Sequence, residues 1–196
     1  MSSTHVKGVL DLTFADIKEE NDLQTALTSD RVAGVPLSTT MNSNSPDKTK
    51  KKSSLEEVKA IRIANNEISN VSILCNPLTS QLDTTKISWL DLSFNRIEKL
   101  DDSLFSTFPN VTTLYLQANQ ITKLTELKKL ALFPQIRSLA LYGNPVEEHK
   151  HYRNFVLFTC KNLKNFDMSP VTQTERDMND IWSLTFRKKL FPGQED

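Results

Sequence analysis

Glycine is scarce in this chain, with four in 196 residues, and cysteine is scarcer, with two. No excess of charge of either sign exists, because Lys+Arg and Asp+Glu both number 24. Each shortage excludes something. Phosphate-cradling loops of the type G-x-G-x-x-G or G-x-x-x-x-G-K-[ST] need clustered glycines, and neither occurs. Cys75 and Cys160 cannot build a disulfide framework, so they read as small buried apolar groups in a reducing compartment. Zero formal net charge supplies no global field toward nucleic acid or an anionic membrane. A secretory signal and an apolar run of spanning length are both missing, so the expected compartment is cytoplasmic, and the sequons at Asn70 and Asn110 are discounted. His149 and His151 stand near Glu147, Glu148 and Cys160 without a recognised zinc spacing. Asp91 and Asp167 are too far apart in the chain's repeats to act as a catalytic pair. No nucleophile, acid/base pair, metal site or cofactor cradle is recognisable, and the expectation is a non-enzyme with no cofactor.

What the chain does have is one string written four times. Ile87-x-x-Leu90-x-Leu92-x-x-Asn95-x-Ile97 returns as Val111-x-x-Leu114-x-Leu116-x-x-Asn119-x-Ile121 and as Ile136-x-x-Leu139-x-Leu141-x-x-Asn144-x-Val146. A weaker copy, Val58-x-x-Ile61-x-Ile63-x-x-Asn66-x-Ile68, precedes them, and the asparagines fall 29, 24 and 25 residues apart. Apolar residues two apart share a side only on a strand, so each copy begins with a short strand. The apolar residues that follow turn the chain back beneath it. One such coil buries too little alone; stacked coils align their strands in a parallel sheet and merge their leucines into one core. The asparagines Asn66, Asn95, Asn119 and Asn144 leave the strands at equivalent places and form a ladder bonding backbone of adjacent coils.

This pattern resembles the leucine-rich repeat. It implies an α/β solenoid with a short parallel sheet on the concave face, a helical or irregular convex side and a C-terminal helical cap. Five segments are read: an N-terminal docking arm (1–37), a flexible basic linker (38–54), four repeats (55–146), a cap with a degenerate fifth repeat (147–186) and a tail (187–196). The lysines at 48 and 50–52 suit a solvated linker, with a nuclear signal or a patch for an acidic surface as alternatives. Leu10, Leu12, Phe14 and Ile17 make the arm apolar. It either folds over the first repeat or docks on a partner, and the intervening linker favours the partner. The longer first period, with Pro77 and residues 79–85, belongs on the outer surface. Thr125–Phe133 is read as a helical turn with Leu127, Leu130 and Ala131 on one face. In the cap, Met178, Ile181, Trp182, Leu184 and Thr185 form an apolar stripe that packs on the cap itself or on a partner, and the cap is the favoured reading.

The cap residues Asn144-Pro145, Tyr152-Arg153-x-x-Val156, Leu163-x-x-Phe166-Asp167, Val171-Thr172 and Glu175-Arg176 are similar to those of short intracellular leucine-rich repeat proteins. That group includes phosphatase regulators, a spliceosomal protein and an axonemal dynein light chain. Together with Trp89–Asn95, Gly143–Glu148 and the arm's Leu10-Asp11-x-x-Phe14-x-x-Ile17, the likeness covers roughly residues 10–185. It implies a protein of ciliated eukaryotes, associated with the axoneme of cilia or flagella, without enzymatic activity.

Strand alternation also names a surface. With Leu90 and Leu92 inward, Trp89, Asp91 and Ser93 face the concave side, as do Arg62, Thr113, Tyr115, Gln117, Tyr142 and Asp167 at equivalent positions. Trp89, Tyr115 and Tyr142 step along successive strands as an aromatic diagonal, and small neighbours such as Ala64 and Ala140 leave the rings accessible. The expected function is a protein-interaction scaffold taking a helical or coiled-coil axonemal partner, associated with microtubules, dynein or spokes, and no nucleic acid or membrane. The alternative is a regulatory subunit of a soluble phosphatase- or dynein-type enzyme.

Overall fold

The computed structural model describes residues 8–28 and 57–190, the last four of these through their backbone alone. The linker 38–54 with its lysines, the remainder of the arm and residues 191–196 lie outside the described residues. Short strands stack in chain order: β1 (Val9–Asp11), β2 (Ala60–Arg62), β3 (Trp89–Asp91), β4 (Thr113–Tyr115), β5 (Ser138–Ala140) and β6 (Asn165–Phe166) are parallel, and β7 (Ser169–Pro170) turns back antiparallel. Register puts Leu10, Ile61, Leu90, Leu114, Leu139 and Phe166 side by side, all buried. These residues and Leu12, Ile63, Leu92, Leu116 and Leu141 belong to a single core.

The helices are α1 (Glu20–Thr28), α2 (Cys75–Gln81), α3 (Asp102–Thr107), α4 (Leu124–Leu127), α5 (Tyr152–Thr159) and α6 (Gln173–Leu190). The long first period is accommodated by α2 and a 3₁₀ turn at Thr84–Lys86 between β2 and β3, so the strand register is kept. After α4 the chain tightens into a 3₁₀ helix, Lys128–Leu132. Three residues per turn aligns Leu127, Leu130 and Phe133, all buried, and turns Ala131 to solvent, correcting the face expected for a helical turn.

The arm differs from expectation. It is the first coil of the sheet, and no partner is needed to hold it: Leu10, Leu12 and Ile17 are buried in the core, and only Phe14 is exposed. Asn66 secures it, accepting from the N–H groups of Ala15 and Ile17 (both 3.0 Å) and donating to the Leu12 carbonyl (3.0 Å). The signal was present in the sequence. Leu10-Asp11-Leu12-Thr13-Phe14-Ala15-Asp16-Ile17 parallels Leu90-Asp91-Leu92-Ser93-Phe94-Asn95-Arg96-Ile97, with Ala15 where the ladder has asparagine. Helix α1 completes this end, burying Leu23 and Leu27. Without the arm, β2 would leave its backbone and Ile61 at an open edge.

Every coil turns off its strand at a left-handed residue just before the ladder position: Phe14 (φ 57°), Asn65 (56°), Phe94 (54°), Ala118 (54°) and Gly143 (72°). Glycine takes the last without strain, where a Cβ would lie 3.3 Å from the Ala118 nitrogen, tighter than an ordinary contact. Phenylalanine is poorly suited to this conformation, which costs an L-residue roughly 1–2 kcal/mol and is visited readily by asparagine. Phe14 is 74% exposed and buries little in return. Phe14→Asn is therefore expected to raise stability by about 1 kcal/mol, read as a higher urea midpoint.

Candidate interaction surface on the concave sheet

The ladder sets the frame on which the concave side chains stand. Asn95 accepts from the Ile68 N–H (3.1 Å) and donates to the carbonyls of Ile63 (2.9 Å), Leu92 and Ser93 (3.1 Å each). Asn119 does the same to Ile97 and Leu92, and Asn144 to Ile121 and Leu116. Each amide thus bridges its own coil to the preceding one. The coils cannot slide or twist independently, so side chains on neighbouring strands keep fixed separations.

On that frame three side chains form a cluster. The Trp89 and Tyr115 rings meet edge to face, centroids 5.7 Å apart, across β3 and β4. The Arg62 guanidinium lies 5.2 Å from the Trp89 ring centre. Asp11 holds Arg62 from β1 (3.4 Å) and Asp91 from β3 (3.6 Å). Arg62, Trp89 and Tyr115 are all half-buried, presenting one flank to solvent. Two carboxylates flank the guanidinium, so an incoming surface meets aromatic edges and an arginine whose counter-charge is already supplied. Thr113 and Ser138 beside them are short and half-buried. Ala64 and Ala140 are buried, and Ala140 lies beside Tyr115 in the sheet register.

Four expected site residues sit differently. Asp91 is buried, and its carboxylate accepts from the Ser93 N–H (3.0 Å) and hydroxyl (2.5 Å) as well as facing Arg62. Asp11 repeats the arrangement with Thr13 (3.0 and 2.6 Å). These aspartates close local turns and position Arg62, and Asp91 offers a partner little surface. Gln117 is buried with its side-chain oxygen unpartnered, and it offers a partner little surface. Tyr142 is exposed, yet it stands beyond the end of β5 in the turn to Asn144, so the diagonal is two touching rings and one outlying ring.

Asp167 is the fourth, and it terminates the stack. Its backbone is left-handed (φ 47°), and one carboxylate oxygen accepts from the N–H groups of Leu141 (2.7 Å) and Tyr142 (3.0 Å). The other accepts from the Tyr152 hydroxyl (2.8 Å). Burial raises the Asp167 carboxyl above the ordinary carboxylate range despite these donors, and burial beside Asp167 raises the Tyr152 phenol. In earlier coils the N–H equivalent to that of Leu141 goes to a backbone carbonyl of the next strand, Leu92 to Tyr115 and Leu116 to Ala140; at the last coil the Asp167 side chain takes it instead.

The cap is closed by α6. Thr172 caps its start, accepting from the Glu175 N–H (3.2 Å), while the Glu175 carboxylate turns to Arg153 on α5 (2.5 and 3.1 Å). Arg176 donates to the carbonyls of Leu157 (2.7 Å), Cys160 (3.2 Å) and Leu163 (2.7 Å), groups left over where α5 ends. Cys160 is buried beneath, its thiol pushed up to about 12 by that burial. Trp182 and Phe186 stack on each other and both meet His151 at a tilt, centroids 5.6 and 4.8 Å away. Met178, Ile181 and Leu184 instead face solvent, so the expected single stripe divides between two faces of the helix.

The hydrogen bond from Arg153 holds Glu175 below its usual value of 4.5. A folded-state value below the unfolded one gives stability that is present above the unfolded value and lost as pH falls through the folded one. Acidification below pH about 4.5 should loosen α6 and shift Trp182 emission to the red, and Glu175→Gln should remove that acid step.

Among the described residues no group of acidic, histidine and cysteine side chains is arranged to hold a metal, and no helix is long and apolar enough to cross a membrane. The chain is similar to human leucine-rich repeat-containing protein 51, 42% identical over 120 residues, which are 60% of this chain and 62% of that one. The mouse protein of the same name is 38% identical over 135 residues, covering 67% of this chain and 70% of its own length. U2 small nuclear ribonucleoprotein A' of Aspergillus fumigatus is 32% identical over 117 residues, 60% of this chain and 44% of that one. The match thus spans less than two thirds of the human relative. Among solved structures, the Drosophila melanogaster SNF/U2A' complex contains a chain that superposes with a TM-score of 0.64 at 18% identity, covering 92% of this chain and 84% of that one, a likeness of fold. The family description "Leucine-rich repeat" matches residues 46–189, and the chain belongs to that family.

Proposed function

We propose that this chain is a non-enzymatic scaffold that grips an α-helix or coiled coil of another protein across its concave sheet, within the axoneme of a cilium or flagellum. The observation that carries the binding reading is the Arg62–Trp89–Tyr115 cluster. Trp, Tyr and Arg are the residue types that dominate interface energetics. Here the rings brace each other and the arginine is held by Asp11 and Asp91, so little side-chain freedom remains to be lost on binding. None of the three belongs to the hydrophobic core. Strands about 4.8 Å apart present a surface that a helix of roughly 10 Å diameter crosses two strands at a time, the span of the Trp89–Tyr115 pair.

The axonemal setting is supported by the family resemblance of the Leu10–Ile17 segment and of the cap, and the geometry is neutral on it. Expression of the tagged full chain in ciliated cells tests it. The chain should remain with salt-washed axonemes. Quantitative release into the soluble fraction together with a catalytic or motor chain would overturn the scaffold reading in favour of a regulatory subunit.

A further inference from the structure

The face of α6 turned away from the cap bears Met178, Ile181 and Leu184, 67%, 69% and 83% exposed, on a helix whose opposite face is already committed. The buried side holds Arg176 on the α5 carbonyls, Glu175 on Arg153 and Trp182 on His151, so the apolar stripe cannot turn inward without breaking those contacts. Charge along the helix is sorted. Its first half carries Glu175, Asp177 and Asp180, with its basic residue Arg176 held on the carbonyls of the cap, and its last turn carries Arg187, Lys188 and Lys189 in sequence.

We propose that α6 is a self-association surface on which a second copy of this chain docks antiparallel, about a two-fold axis between residues 182 and 183. The pairing that sets Ile181 beside Leu184 of the second copy also sets position 177 level with position 188, and Met178 level with position 187. Positions 177 and 188 are eleven residues apart, about three helical turns, so they share one side of the helix with Ile181 between them. The acidic half of each helix then meets the basic end of the other, twice, by symmetry. A parallel pairing would set like charge against like. Asp177 is available for this role: its carboxylate is engaged only within its own helix, by the Gln173 amide (2.9 Å). Asp180, tied to Lys161 at 3.3 Å, flanks the stripe. Helices of this length meeting on one stripe bury less than the roughly 1,200 Å² of stable complexes, so the pairing depends on concentration.

Sedimentation of the full chain tests this. The weight-average mass should rise from that of the 22.3 kDa monomer toward twice that value as concentration increases, and Ile181→Ser/Leu184→Ser should hold it at the monomer. Asp177→Lys and Lys188→Asp, each alone, should weaken association at least tenfold at low salt. An equimolar mixture of the two should recover it, since only the heterodimer restores both opposite-charge pairs. A chain that is monomeric at every concentration, or that holds a different protein on this stripe while remaining monomeric, overturns the proposal. So does association that survives Ile181→Ser/Leu184→Ser, or a mixture that fails to recover.

Discussion

Replacing Asn95 with alanine is expected to cost the stack about 2–4 kcal/mol, because it leaves one buried N–H unpaired, at about 1–3 kcal/mol, and removes three further hydrogen bonds. The amide satisfies one N–H and three carbonyls drawn from two coils: Ile68 and Ile63 in one, Leu92 and Ser93 in its own. Alanine leaves the Ile68 N–H without a partner in a buried setting, while the carbonyls of Ile63, Leu92 and Ser93 each lose one of two donors and keep the Asn66 amide, the Asn119 amide and the Asn65 N–H respectively. The damage falls at the joint between β2 and β3. In a stack held by nearest-neighbour contacts, a weakened joint separates the coils on either side of it. Urea unfolding should therefore show a lower midpoint and a shallower or biphasic transition, whereas a substitution within one coil shifts the midpoint alone. A variant that unfolds like the wild type would mean that the ladder contributes nothing net.

The second large effect is on binding. Trp89→Ala/Tyr115→Ala should weaken the complex with the concave-face partner at least 30-fold, from interface truncations costing about 2 kcal/mol or more. Both rings are half-buried on the sheet and outside the core, so the thermal midpoint should fall far less than for Asn95→Ala. Arg62→Lys separates the roles within the cluster. Lysine keeps the charge and loses the planar group stacked on Trp89, so a partial loss of affinity is expected, checked in the same titration. An unchanged affinity in the double variant would remove the concave face from the account.

Much of this fold is legible in the sequence, for a physical reason. A repeat needs the same residue types at the same places, and Leu90/Leu92/Asn95 and their counterparts show them without interruption. The arm escaped because Ala15 occupies the ladder position and 51 residues separate it from Asn66. The bonds it lacks are made by the Asn66 side chain reaching back, which no local pattern displays. The site was legible only in part. Period-two alternation fixes which way a Cβ points, and it correctly places Trp89, Tyr115 and Arg62 on one surface. It does not say where a polar side chain sends its hydrogen bonds. Asp91 turns to Ser93, and Asp167 turns to the Leu141 and Tyr142 N–H groups just past β5, although both alternate onto the concave side. The Asp-x-Ser/Thr spacing at Asp11 and Asp91 is a local turn signal that was there to be read. In α6, residues 181 and 182 lie 100° apart around the helix axis, so grouping Ile181 with Trp182 merged a docked face with a free one.

The central claim is that the concave sheet, through Trp89 and Tyr115, is where this scaffold holds its partner. A photo-activatable phenylalanine analogue placed at residue 115 tests it most directly, with the same analogue at exposed residue 132 as the convex control. In ciliated cells, the account predicts one discrete cross-linked protein from residue 115, absent from residue 132 and lost when Trp89→Ala is combined with it. The same adduct from residue 132, or an adduct from residue 115 that persists with Trp89→Ala, would contradict the account.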